Sequence, residues 1–217
     1  MFKKQWMIVV FACLMLAACS QGEAVKSTSG KMTLEAADLS AKEKGLLGAT
    51  GVSHSFIYDL TELDESVKFM RLYIDHYEKG IKKEEASSVG VGIMEDEEEG
   101  DLHRIAFLMT DGTNAADEKN FNISYIYDTG NSTGHHKLKL GTSSIASMSL
   151  PIDEKHEIQI GKPITVGAMV ADEGDGVHLS GDLFQNEEQA IKDGMADYDH
   201  VYLFKVELLT EDPHKVN

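Results

Sequence analysis

Disulfide-forming cysteine, basic charge, long apolar runs and catalytic signatures are all scarce in this chain, and each scarcity excludes something. There are 2 cysteines in 217 residues, Cys13 and Cys19, so a multi-disulfide scaffold is out of the question. Lys and Arg number 20 against 37 Asp and Glu, a net charge of −17. Such a surface repels nucleic acid and anionic head groups and favours cations or basic partners. With no basic stripe and no interleaved aromatic platform, the chain does not read as a nucleic-acid binder. The longest apolar run, Trp6 to Ala18, has 13 residues. A membrane-spanning helix needs roughly 20. No GxSxG, SxxK or HExxH is present, nor a phosphate or dinucleotide loop, and no repeat of fixed period appears. An enzyme is therefore not the expectation.

What is present begins with an export signal. Lys3 and Lys4 precede the apolar run, and small residues follow it, the tripartite pattern of a cleaved signal peptide. Leu16-Ala17-Ala18-Cys19 is similar to the lipobox of bacterial lipoproteins. That resemblance, confined to the first twenty residues, implies cleavage before Cys19, a diacylglyceryl group on its thiol and acylation of the new amino terminus. Two or more chains anchor a protein stably where one binds only marginally. The expected location is the extracytoplasmic face of a cell membrane. Removal of residues 1–18 leaves 199 residues, deletes Trp6, the 1 tryptophan, and takes the net charge to −19 by loss of Lys3 and Lys4. Cys19 is then the sole cysteine and carries lipid, so no internal disulfide forms and an ordinary core must supply stability.

Residues 19–50 read as a lipid anchor and polar tether, with a short helix at Leu34–Lys44 stopped by Gly45. Residues 51–217 read as one domain. Asn120–Asp128 alternates clearly: Phe121, Ile123, Tyr125 and Tyr127 share one face. Tyr202, Phe204, Val206 and Leu208 alternate with Leu203, Lys205 and Glu207. Similar runs lie at 55–61, 89–95, 102–110, 136–140, 145–150, 157–160 and 164–172. Ser66–Glu78 suits either a strand or a helix face, and its strand-like neighbours and Gly80 favour a strand. A helix starts near Asn186, with Gln189 placed as in a capping box. The expected fold is mainly β: an antiparallel sandwich, jelly-roll or immunoglobulin-like, of about 8–10 strands with one short helix in its second half. The ending Asp197-Tyr198-Asp199-His200-Val201-Tyr202-Leu203 resembles uncharacterised surface lipoproteins of Gram-positive bacteria, which implies no particular activity.

Candidate chemistry is thin. Glu95–Asp101 holds six carboxylates in seven residues, which a solvated hairpin tip accommodates without a metal. Asp172-Glu173-Gly174-Asp175-Gly176, with Asp182 beyond, lacks the EF-hand order but puts carboxylates on a glycine loop. Asp172, Asp175 and Asp182 are therefore the Ca²⁺ candidates. His135 and His136 are adjacent and face opposite ways on a strand, and the other histidines show no ligand spacing. The glycines of Val89-Gly90-Val91-Gly92 suit close packing within a strand. The reading that results is a lipid-anchored, non-enzymatic binding domain for a protein or cell-envelope partner. A Ca²⁺-binding module and an inhibitor of a basic secreted enzyme are its rivals. A carbohydrate module, which needs aromatic platforms, ranks below both.

Overall fold

The structure is a computed structural model describing residues 31–93, 102–112, 118–139, 145–149, 155–172, 181–184 and 186–215. Twelve strands are described among them: β1 (Thr33–Ala36), β2 (Val52–Thr61), β3 (Phe69–Glu78), β4 (Ile81–Lys82), β5 (Ser87–Gly92) and β6 (His103–Asp111), then β7 (Glu118–Tyr127), β8 (Gly130–Lys139), β9 (Ile145–Ser149), β10 (His156–Glu157), β11 (Ile164–Ala171) and β12 (His200–Leu209). They form two antiparallel sheets. The first runs β10-β1-β2-β6-β7-β8, and the second runs β4-β3-β12-β11-β9, with β5 sharing the outer edge of β3 with β4. The molecule is a β-sandwich. Ser66–Glu78 is resolved in favour of a strand. No helix of the described residues is long and apolar enough to cross a membrane.

Alternation builds the space between the sheets. Phe121, Ile123 and Tyr125 of β7 face Phe107 and Ile105 of β6, and all are buried. Phe204 of β12 sits at the centre, with ring centroids 4.8 Å from Phe56, 5.4 Å from Phe107 and 5.8 Å from Phe121. Each such aromatic contact adds on the order of 0.5–1.5 kcal/mol to plain area burial. A bulge between Thr165 and Gly167 shifts the register of β11 on β12. It frees the Val166 carbonyl, which accepts from the Tyr58 hydroxyl at 2.7 Å across the sandwich. A Cβ on Gly167 would lie 2.8 Å from the Phe56 ring, so the bulge brings backbone and ring together as only glycine permits.

The domain begins earlier than the composition suggests. Residues 33–36 are a strand rather than tether or helix, pairing with β2 on one side and β10 on the other. Leu34 is fully buried in the core. A four-residue strand carries too little alternation to register as a period, which is why it reads as linker. The helix here is α1 (Ala41–Ala49), and Gly45 lies inside it instead of ending it. Ser40 and Glu43 form a reciprocal capping box at its start, which offsets the glycine. Nothing on α1 is buried. Its attachment is Glu43, which meets Arg104 at 3.1 Å while Arg104 makes a two-pronged pair with Asp59 on the neighbouring strand. Two more strands than the expected upper count are described, and the additions are the short pieces β1 and β4.

The second-half helix is observed, though it is short. Asn186 accepts from the Gln189 N–H at 3.3 Å and opens α2 (Glu187–Ala190). The chain then widens into a π-turn at Ile191–Met195, which contains Gly194. Replacing Leu34 with Ala should cost about 2–5 kcal/mol of unfolding free energy, measured by urea denaturation. A loss near zero would return residues 33–36 to the tether.

Candidate functional site

The outward face of the second sheet is where the pattern of β12 departs from simple alternation. Val201, Leu203 and Lys205 point away from the sandwich core, yet all are buried. The segment from the 3₁₀ turn Gly181–Phe184 through α2 and the π-turn lies over them. Leu183, Ile191 and Met195 make a second small core with Tyr77, Ala168, Val170, Val201 and Leu203. Beside it lies a charged cluster. The Lys205 ammonium is 3.0 Å from Asp75 Oδ2 and 2.8 Å from Glu187 Oε1. Glu187 also accepts from the Thr165 hydroxyl at 2.7 Å and the Tyr77 hydroxyl at 3.2 Å. Lys82 reaches Asp75 Oδ2 at 2.8 Å. One residue of α2 thus ties the helical cover to three strands.

The cluster is costly to assemble. Asp75 is 1% exposed, and its Oδ1 has no hydrogen-bond partner among the described residues, a deficit of about 1–3 kcal/mol. Burial, followed by the charge of Glu187, pushes the Tyr77 phenol upward; burial and Asp75 do the same to Tyr73. Neither tyrosine is poised to ionise as a nucleophile. The arrangement holds the helical cover in place on the sheet. Lys205→Met leaves the buried Asp75 with the exposed Lys82 alone and should destabilise by roughly 3–5 kcal/mol, with Asp75→Asn on top of it recovering part of the loss. Chemical denaturation of the three proteins checks this.

Where β3 and β11 end and β12 begins, a different set of groups gathers. The β3–β4 hairpin turns through Lys79 and Gly80, with φ of 50° and 73°, the left-handed pair of a two-residue turn. A Cβ on Gly80 would lie 2.9 Å from Ala196 Cβ, so the turn packs tightly on the chain entering β12. Lys79 meets Asp199 at 3.2 Å, and the Asp199 N–H donates to Asp172 Oδ1 at 3.2 Å. On the inward side His76 and His200 approach with 3.1 Å between Nε2 and Nδ1. The Tyr202 ring stacks on His76 at 4.7 Å and 6°; burial, then Glu78, raises its phenol to about 12.

Cys19, Asp175 and the Glu95–Asp101 segment lie outside the described residues. Asp172 holds the start of β12 through its backbone contact, and Asp182 falls in the 3₁₀ turn with its side chain outside the described residues. No described group of three or more His, Cys, Asp or Glu side chains is arranged around one metal position. His135 and His136 do face opposite ways: His135 bonds Asn122 at 2.6 Å, while His136 lies opposite Phe121. Gly90 accommodates the Phe69 ring, the close packing expected of it, whereas Gly92 has open space where a Cβ would stand. The His76–His200 pair spans 124 residues and carries no spacing signal. Only the β3–β12 register brings it together.

Three histidines are held less basic than usual. Burial is the first cause for His54, His76 and His136, followed by Lys119, His200 and His135 respectively. The folded protein keeps these imidazoles neutral while the unfolded chain protonates from about pH 6.5 downward. Protons therefore favour unfolding, and stability present above about pH 6.5 is lost as the pH falls toward the folded values. Denaturation midpoints should fall between pH 7 and pH 5, with a shallower fall in His76→Gln. A flat profile over that range contradicts the assignment.

The chain matches no curated protein sequence and no solved structure. A family model does match, covering residues 33–208. That span opens with β1 and closes within β12, so it takes in both sheets and the helical cover. The chain belongs to the YgaN domain family.

Proposed function

We propose that this protein is a lipid-anchored surface lipoprotein whose acidic sandwich binds a cationic protein or envelope component without catalysing a reaction. The anchor rests on Leu16-Ala17-Ala18-Cys19 behind a lysine-flanked apolar run. The distribution of charge carries the binding reading. Eleven Lys and Arg side chains of the described residues pair with acids of the same molecule. With so many cations neutralised internally, the excess of carboxylates sets the field outside the molecule. That field steers basic partners and keeps the domain off anionic head groups.

The spacing between anchor and fold limits where binding takes place. Residues 20–32 separate Cys19 from the start of β1, a length that spans at most about 45 Å when fully extended. The sandwich therefore works within that distance of the bilayer, on partners that reside in or pass through the envelope.

Two measurements test the proposal separately. In bacteria fed labelled palmitate, the full chain should incorporate label and sediment with membranes, and Cys19→Ser should do neither. Equal labelling of both proteins ends the anchor. Partners captured from intact cells at low salt should be basic and should release as sodium chloride rises toward 0.5 M, since exposed charges more than about 10 Å apart are screened already at 0.1 M. Capture that ignores salt ends the charge-steered reading.

A further inference from the structure

We infer that His76 and His200 form a chelating site for a nitrogen-preferring divalent transition metal ion, of the Cu²⁺ or Zn²⁺ class, at the loop-bearing end of the second sheet. This goes beyond the binding role above and is independent of the anchor. His76 lies opposite Tyr202 in the β3–β12 ladder. His200 is two residues before Tyr202, so both imidazoles stand on one face as diagonal neighbours. Their nearest nitrogens are 3.1 Å apart, with ring centroids at 5.3 Å and planes inclined at 31°. Two nitrogens each bound at about 2.0–2.1 Å to one ion lie about 2.9–3.4 Å apart for angles between square and tetrahedral. The observed separation falls inside that span. On binding, the donor ring moves its N–H to its other nitrogen by exchange with water, and the His200 ring turns so that both lone pairs meet the ion.

The surroundings favour an ion over a bare hydrogen bond. The flat contact with Tyr202 fixes the plane of the His76 ring, so little side-chain freedom is lost on chelation. Both histidines are partly exposed, which leaves a path from solvent. Glu78 follows His76 by two residues on β3, shares its face, and acts electrostatically on both imidazoles. Its carboxylate now pairs with Lys83 at 3.0 Å, and a bound cation takes over that countercharge. The other charged pair at this end, Lys79 with Asp199, is satisfied internally. Imidazole nitrogen selects Cu²⁺ and Zn²⁺ over Ca²⁺ or Mg²⁺, which prefer oxygen. Water completes the coordination of a two-imidazole chelate.

The test uses the full chain with Cys13→Ser and Cys19→Ser, so that no thiol competes, stripped with chelator and titrated with Cu²⁺ or Zn²⁺ alone. Calorimetry at neutral pH should show one tight equivalent, weakened at least tenfold in His76→Gln and in His200→Gln and unchanged in His135→Gln. Glu78→Gln should weaken it severalfold. Electron paramagnetic resonance of the Cu²⁺ form should show imidazole nitrogen couplings in the unsubstituted site, which needs no stable variant. Binding should weaken as the pH falls, because protons compete with the ion for imidazole nitrogen. Absence of a one-to-one equivalent, its survival in His76→Gln/His200→Gln, or a spectrum with oxygen ligands only would each overturn the site.

Discussion

Strand β12 is buried on both of its faces, and the rest of the molecule is arranged around that constraint. One face places Phe204 at the centre of the aromatic core between the sheets; the other places Lys205 beneath the helical cover. A strand in that position must satisfy apolar packing on one side and charge compensation on the other. Phe204 does the first through three rings from the opposite sheet. Lys205 does the second through Asp75 and Glu187, which belong to a neighbouring strand and to the cover itself. Loosening the cover exposes Ala168, Val170 and Leu203 to water and separates a buried ammonium from one of its two carboxylates. Packing and electrostatics therefore act together on one element.

That arrangement supplies stability to a fold whose described residues contain no cysteine. A sandwich of this size gains its stability from apolar area removed from water, at about 25 cal/mol per Å². Two cores sharing one strand raise that area without lengthening the chain. The buried ion cluster by itself contributes little net stability, because desolvation offsets much of the attraction. Its geometry matters more: Glu187 accepts only where Thr165, Tyr77 and Lys205 converge. The cover is thereby held in one register on the sheet, where apolar contacts alone would tolerate sliding.

The same register decides what stands at the end of the sheet. Antiparallel pairing of β3 with β12 puts Lys205 diagonal to Asp75, and His200 diagonal to His76 beyond the last pair of the ladder. A slip of β12 by one residue would turn Lys205 and His200 to the faces opposite Asp75 and His76. The covered outer face and the imidazole pair on the inner face are thus products of a single alignment. The acidic exterior is a separate matter, since it follows from composition and from how many basic side chains are already paired.

Local and periodic information was legible in the chain. The alternation of β7 and β12, the Asn186 cap and the antiparallel sandwich class each rest on residues within one turn or one strand of each other. The β1 strand was not legible, because four residues such as Thr33–Ala36 show no period, and only their partners on both sides make them part of the sheet. The candidate site was hidden for a stronger reason. Asp75, Glu187 and Lys205 are more than a hundred residues apart from end to end, as are His76 and His200, and no spacing rule connects them. Long-range register is a property of the paired sheets. Sequence determined which segments would be strands and where the charge lies, and only the tertiary pairing chose which buried groups would meet.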